Sequence, residues 1–455
     1  MKILYTTHQF LPEYSAGTET LTYSTAKEMS RRGHEVCVFT GYRVRGSVDA
    51  LHAFDRYEYD GIPVECFFHS NTSSILPRNP MEAEYNNSFY ADFFRKRVQE
   101  IKPDLVHFYH LQRLSASIID VCLEMAIPTL FTATDFWLIC PTNQLLLPDY
   151  SGCLGPDRDT VNCIRHLTAI SQGKKIRSAL DRIPDWLIAI GIRWIKRTTF
   201  KPEKGFIPLV RAMTFRSAYM EKRMNRIDRV LVATRFMGKM LQRHGLEGGR
   251  IRHVPFGIDQ TAIKNASEKG TEKDLRVGFI GTLYHHKGAH VLLEAVRSLP
   301  TETALTVKIY GNPEQFPEYT RSLRSIAGSD RRIEFCGTFP AREIGAIFSG
   351  LDVLVIPSLW YENSPLTLSF ARAAKVPVVA TDSEGLNEAI ADGKDGLLFE
   401  KGNAKGLADI ILMLCNDRSM VKKLSEHART PKSISTYVDE LEQIYRDVMR
   451  GHAAV

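Results

Sequence analysis

Pro357-Ser-Leu-Trp-Tyr-Glu-Asn-Ser-Pro-Leu-Thr-Leu-Ser-Phe-Ala-Arg-Ala-Ala-Lys-Val-Pro377 decides the reading of this chain. An apolar run of strand length, Val353 to Pro357, leads into it, and a second, Val378 to Thr381, leads out, so it reads as strand, loop, helix and strand. Strands joined through a helix lie parallel, because only a long crossover returns the chain in the same direction. Ser364 suits the N-cap of that helix and Pro365 its first position, which leaves the amides of Leu366 and Thr367 without partners inside the helix. Amides so placed bind phosphate. Glu362, just before the cap, is placed to accept a hydrogen bond from a sugar hydroxyl beside the phosphate; complementing the helix dipole is its blander reading.

The same alternation runs outward in both directions. After a polar stretch, Ala262 to Asp274, strands read at Arg276 to Ile280, Thr306 to Tyr310 and Ile333 to Cys336, ahead of the two already named. Helices such as Lys287 to Leu299 and Ala341 to Phe348 separate them. Upstream, a strand from Lys2 to Thr7, a loop from Phe10 to Gly17, a helix from Thr18 to Arg32 stopped by Gly33, and a strand from Glu35 to Thr40 open another array. Its later strands read at Leu105 to Tyr109, Thr129 to Ala133 and Arg229 to Ala233, with Arg235 to His244 helical and Arg252 to Gly257 extended.

The fold class is therefore α/β, with two doubly wound, Rossmann-like domains: 1–262, carrying a loop and basic insertion at about 136–226, and 263–430. The tail 431–455 has helical periodicity and is able to cross back onto the first domain. In open parallel sheets ligands collect at the carboxyl ends of the strands, so the informative residues belong in those loops.

A length of 455 residues suits two cores rather than one, and 44% hydrophobic with 24% charged residues is ordinary globular composition. The first residues turn polar at Thr6, Thr7, His8 and Gln9, unlike a signal peptide. The most apolar segment, Trp186 to Ile195, is about half the length that crosses a bilayer and contains Arg193. A cytoplasmic location is expected, and eight cysteines without export argue for reduced thiols or metal ligands.

Several segments together resemble the family 4 retaining glycosyltransferases. Their donor motif has two glutamates separated by seven residues, which Glu362, Asn363, Ser364, Pro365, Leu366, Ala371, Ala373, Ala374, Pro377 and Val378 fit, with Phe370 standing at the second glutamate and Lys375 at a usual glycine. Gly278-Phe-Ile-Gly-Thr-Leu-Tyr-His-His-Lys-Gly288 is similar to the phosphate loop, with Gly281, Lys287 and Gly288 matching and Thr282 replacing an arginine. Asp382-Ser-Glu-Gly-Leu-Asn-Glu388 is similar to the glycine-rich loop with its glutamate, keeping Gly385 of the usual two glycines.

In the first domain Ser15-Ala-Gly-Thr-Glu19 resembles the loop facing the acceptor, through Gly17 and Glu19, and His110 ends a strand where the family often has an active-site histidine. Thr134-Asp135-Phe136-Trp137 resembles a His-Asp-Tyr-Trp segment, and Pro255-Phe-Gly-Ile-Asp259 the approach to the hinge. The resemblance implies a GT-B fold, two facing domains with a cleft between them. It also implies transfer from a nucleotide-diphosphate sugar to a saccharide or lipid-linked acceptor, with retention and without a cofactor for catalysis. Glu362 and His110 are then catalytic; Gly281, Thr282, Lys287, Gly288, Asn363, Ser364, Leu366, Thr367, Phe370 and Glu388 bind donor; Gly17, Glu19 and Asp135 lie on the acceptor side. The departures at Phe370, Thr282 and Thr134 keep a glycan-binding or scaffold protein open as the alternative, with a nucleotide-sugar epimerase a more distant one.

Two features fall outside the resemblance. Cys140, Cys153, Cys163 and His166, spaced Cys-x12-Cys-x9-Cys-x2-His, are able to complete a structural zinc site; unrelated thiols are the other reading. From Leu167 to Arg226, 14 Lys and Arg face four carboxylates, a net +10 against +7 for the whole chain. Trp186, Leu187, Ile190 and Trp194 among these cations suggest an amphipathic helix on an anionic membrane at the inner face, against a plain solvated face. No nucleic-acid module accompanies the charge, so no nucleic-acid partner is expected.

Overall fold

The computed structural model describes residues 1–43, 54–69, 80–171, 182–198, 206–264 and 273–453. Five cations of the basic stretch (Lys174, Lys175, Arg177, Lys201, Lys204) and most of the polar linker, 265–272, lie outside these residues. The chain forms two compact units, one of 1–149, 153–254 and 438–455, the other of 150–152 and 255–437.

The first unit is built on β1 (Lys2–Thr7), β2 (Glu35–Arg43), β3 (Phe54–Tyr59), β4 (Ile62–His69), β5 (Leu105–Phe108), β6 (Thr129–Ala133), β7 (Arg229–Val232) and β8 (Ile251–His253). They form one sheet in the order β3-β4-β2-β1-β5-β6-β7-β8. Every pair is parallel except β3 with β4, an antiparallel hairpin turned by Asp60 and Gly61, both at positive φ. Leu4 and Tyr5 of β1 are fully buried, as are Leu105 and Val106 of β5, as expected of central parallel strands covered on both faces. The helix Gly17–Arg31 ends where Gly33 takes φ 86° and the amide of His34 returns to the Met29 carbonyl, a glycine-closed C-terminus.

The helix Ile434–Ala453 reaches from the second unit into the first. From residue 438 onward it is fastened by Arg32–Asp439 and His34–Glu442 ion pairs and by Tyr445, whose hydroxyl lies 2.6 Å from His107 Nδ1.

The second unit contains β9 (Leu275–Ile280), β10 (Leu305–Tyr310), β11 (Ile333–Gly337), β12 (Val353–Ile356), β13 (Val378–Asp382) and β14 (Gly396–Glu400). All are parallel, in the order β11-β10-β9-β12-β13-β14, the 3-2-1-4-5-6 order of a doubly wound dinucleotide fold. One face of its sheet is covered by a cluster around Val277, Leu292, Val307, Val355 and Ile411, the other by one around Phe348, Leu354, Leu368 and Ala380.

Two local expectations are corrected and one element is added. The β3–β4 hairpin was not foreseen. The expected helix Ala341 to Phe348 is a 3-10 turn, Ala341–Glu343, followed by a helix Ile344–Ser349. Ser364 is not an N-cap: it takes φ 59°, so Pro365 occupies the cap position of the helix Leu366–Ala373 without a side-chain cap bond.

Candidate active site

In both sheets the strand order reverses at one point, and there two successive loops leave in opposite directions and open a crevice. In the second unit the reversal falls between β9 and β12. The two loops that follow these strands are the two donor segments read from the sequence.

They touch. Gly288, at φ 73°, lies so close to the next loop that a Cβ there would sit 1.8 Å from the Pro357 carbonyl oxygen. Gly385, at φ 91°, approaches the Glu362 carbonyl equally closely, so both glycines are fixed by contact as well as by φ. Between them Glu362 is buried, and its Oε1 accepts from Lys287 Nζ at 2.8 Å and from Ser358 Oγ at 2.5 Å. Both bonds fall on Oε1, and no described residue bonds Oε2.

Lys287 also lies 4.5 Å from the centre of the Trp360 ring, whose other ring neighbour is His286 at 4.7 Å. The Trp360 indole N–H is buried without a partner among the described residues. Burial, with Lys287 and His285 beside it, pushes His286 down to about 2, and burial beside His290 pushes His285 down to about 4. Both imidazoles are thus neutral near pH 7, which leaves Lys287 as the cation of this loop.

Leu366 and Thr367 form the first turn of their helix, and no described residue pairs with their amides. Asn363 is buried beside Glu362; Thr282 and Gly281 are partly exposed at the end of β9. Phe370, on the helix Leu366–Ala373, packs its ring against the apolar cluster of Phe348 and Leu368, and Glu388 is exposed on the short helix Leu386–Ala389. Ser358 and Trp360, inside the quoted stretch, were not singled out from sequence; neither residue type carries a motif signal alone.

The first unit repeats the plan. Its strand order reverses between β1 and β5, and the residues just past those strands, His8 and His110, lie with ring centres 4.3 Å apart and planes tilted by 46°. The His110 Nδ1 accepts from the Gln112 amide at 3.0 Å, so its proton sits on Nε2 and is donated to Asp135 at 2.9 Å. Asp135 is held in turn by the Trp137 amide at 2.8 Å.

His8 Nε2 lies 3.4 Å from a fully buried Glu19 carboxyl. Burial raises the Glu19 pKa, and burial together with His110 and Arg113 holds His8 well below the usual imidazole range. Glu19, His110 and Asp135 are thereby brought to one cluster, which His8 joins unforeseen. Gly17 is exposed at the start of its helix with open space around it. Cys140, Cys153, Cys163 and His166 line one cavity elsewhere in this unit.

Comparison with known proteins agrees with this architecture. The solved structure of Anabaena HepE in complex with UDP aligns over 98% of this chain and 100% of that one, at TM-score 0.63 and 15% identity. Sucrose-phosphate synthase from Thermosynechococcus elongatus aligns over 99% of each chain at TM-score 0.68 and 14% identity. These likenesses define the class: a GT-B fold of two parallel-sheet α/β domains. Residues 15–173 match the family model described as Glycosyltransferase Family 4, and residues 259–430 that described as Glycosyl transferases group 1. The chain belongs to this glycosyltransferase family. D-inositol 3-phosphate glycosyltransferase of Corynebacterium glutamicum is 28% identical over 233 residues, 47% of this chain and 55% of that protein. The chain spans about half the length of the curated relatives it matches.

Proposed function

We propose that this chain is a glycosyltransferase that takes a sugar from a nucleotide-diphosphate donor held on the second unit. It passes that sugar, with retention, to a saccharide or lipid-linked acceptor held on the first. The observation that carries the reading is the Lys287–Glu362 pair at the β9/β12 reversal, next to the unpaired amides of Leu366 and Thr367. A cation and a helix N-terminus suit a diphosphate. The unbonded Oε2 of Glu362 suits a sugar hydroxyl, and the Trp360 N–H is a further donor.

During transfer the bond from the sugar's anomeric carbon to the diphosphate oxygen breaks, a bond from that carbon to the acceptor oxygen forms, and the acceptor hydroxyl's proton passes to the departing diphosphate. The charge that collects on the departing diphosphate is met by Lys287 and the helix amides, so no catalytic metal is required of this site. His110 is held in one tautomer by Gln112 and Asp135 and serves the acceptor side. Since Anabaena HepE was solved with UDP and with UDP-glucose, uridine diphosphate sugars are the donors to try first.

Membrane-bound acceptors fit the helix Asp185–Arg197. It buries Ala189 and Ile192 and exposes Trp186 at 62%, Ile190 at 52% and Trp194 at 58%, with Lys196 and Arg197 in its last turn. No helix among the described residues is long and apolar enough to cross a membrane, so this reading places the helix in the interface plane.

Calorimetric titration of uridine diphosphate sugars, with turnover measured on the same preparations, tests the assignment. Wild type binds at up to millimolar concentration and releases nucleotide, and Glu362→Ala abolishes turnover. A wild type that neither binds nor hydrolyses any donor would leave the scaffold reading.

A further inference from the structure

We propose that Cys140, Cys153, Cys163 and His166 hold one structural zinc ion, and that the buried Arg216 guanidinium balances its surplus negative charge. The four residues come from a loop and the helix that follows it. The structure brings all of them to one cavity of about 10 Å³, the room of a single water or ion. Cys163 and His166 lie three apart on the helix Val161–Ser171 and so share a face.

The sulfurs make only weak contacts as they stand. Cys140 Sγ is 3.2 Å from Thr142 Oγ1, and Cys153 Sγ is 3.7 Å from the Gly155 carbonyl and 3.9 Å from Asn162 Nδ2. His166 is partly buried and has no hydrogen bond among the described residues. Among the described residues no three ligand-type side chains already stand at coordination spacing. Metal binding therefore has to draw these side chains together.

Arg216 is the independent observation. It is 4% exposed on the helix Phe206–Met224, donates to the Trp137 carbonyl and lies 5.3 Å from the Trp137 ring centre. It forms no ion pair among the described residues, and it lines one small cavity together with Cys163, Thr160 and Pro141. A lone buried guanidinium is costly unless an anion faces it. Zinc with three thiolates and one neutral imidazole carries a charge of −1, which Arg216 neutralises; the three thiol protons pass to solvent as the metal binds. The site is closed, so its role is structural: it fixes a loop in which Asn143, Leu145 and Thr160 all hold positive φ.

Metal analysis of wild type purified without chelator is expected to give one zinc per chain, and cobalt(II) in its place to give the absorption of a tetrahedral thiolate site. Cys163→Ser and His166→Ala lose the metal. Arg216→Met keeps the fold's ligands but weakens zinc against a competing chelator by ten- to hundredfold, the usual effect of removing an outer partner. Folded protein that takes up neither zinc nor cobalt overturns the site, as does a mass showing a disulfide among the three cysteines. Unchanged zinc affinity in Arg216→Met overturns the charge balance. None of these readouts depends on transferase activity.

Discussion

Phe370 stands where the family resemblance calls for a carboxylate that accepts from the nucleotide ribose, and its ring packs on the apolar cluster of Phe348 and Leu368 instead. A phenyl ring accepts no such bond. Hydrogen bonds to a charged group are worth about 1.5–3 kcal/mol, so Phe370→Glu is expected to tighten nucleotide binding roughly ten- to hundredfold, at a small loss of stability from packing. Calorimetry on the variant checks it, and unchanged affinity would show that the ribose lies elsewhere. Gly385→Ala should act oppositely. At φ 91° a side chain is strained, and its Cβ would meet the Glu362 carbonyl at 1.8 Å. A stability loss of at least about 1–2 kcal/mol and weaker donor binding should appear together. Gly17→Ala, in open space without positive φ, is the control that leaves stability near wild type. Glu362 and Lys287 were legible because each sits inside one continuous strand–loop–helix segment. His8 was not, since its meaning depends on His110, which the fold brings beside it from β5.

Elements were legible where they were buried. β5, β12 and most of β1 and β13 are nearly continuous apolar runs, as parallel strands covered on both faces must be, while β10 alternates Leu305, Val307 and Ile309 with Thr306 and Lys308. The hairpin β3–β4 escaped because β3, Phe-Asp-Arg-Tyr-Glu-Tyr, is an edge strand with charges on its exposed side, though Asp60-Gly61 carried a turn signal. The same contrast applies to the helix Asp185–Arg197, whose outward face is apolar. Burying two tryptophans in an interface outweighs a few screened charges, so sedimentation with anionic vesicles should fall strongly in Trp186→Ser/Trp194→Ser. Lys196→Glu/Arg197→Glu should weaken binding by about 1 kcal/mol per lost cation and remove its salt sensitivity. Equal sedimentation with neutral and anionic vesicles would reduce the charges to a solvated face.

At the scale of the molecule, two similar arrays were legible from alternation alone, while the end of the chain was only a periodic helix. Its anchoring in the first unit depends on Tyr445, whose partner His107 was unremarkable in sequence. His107 is fully buried, bonded to Tyr445 on one nitrogen and to Thr132 Oγ1 at 2.8 Å on the other. Burial pushes it down to about 3 from its ordinary 6.5. Above pH 6.5 both folded and unfolded chains hold this ring neutral, and the stability it confers is fully present. As pH falls below 6.5 the unfolded chain takes up the proton while the folded chain refuses it until about pH 3, so stability is lost on acidification. By pH 5 the loss from this one ring is about 2 kcal/mol, and His286 adds a comparable loss in the second unit. Denaturant unfolding at pH 7.5 and pH 5 is expected to show the combined fall. In His107→Gln, which keeps a hydrogen-bonding side chain but cannot titrate, starting stability is lower and the fall between the two pH values shrinks by about 2 kcal/mol. An undiminished fall would mean that the folded chain protonates His107 as readily as the unfolded one, and that the Tyr445–His107–Thr132 link does not depend on a neutral ring.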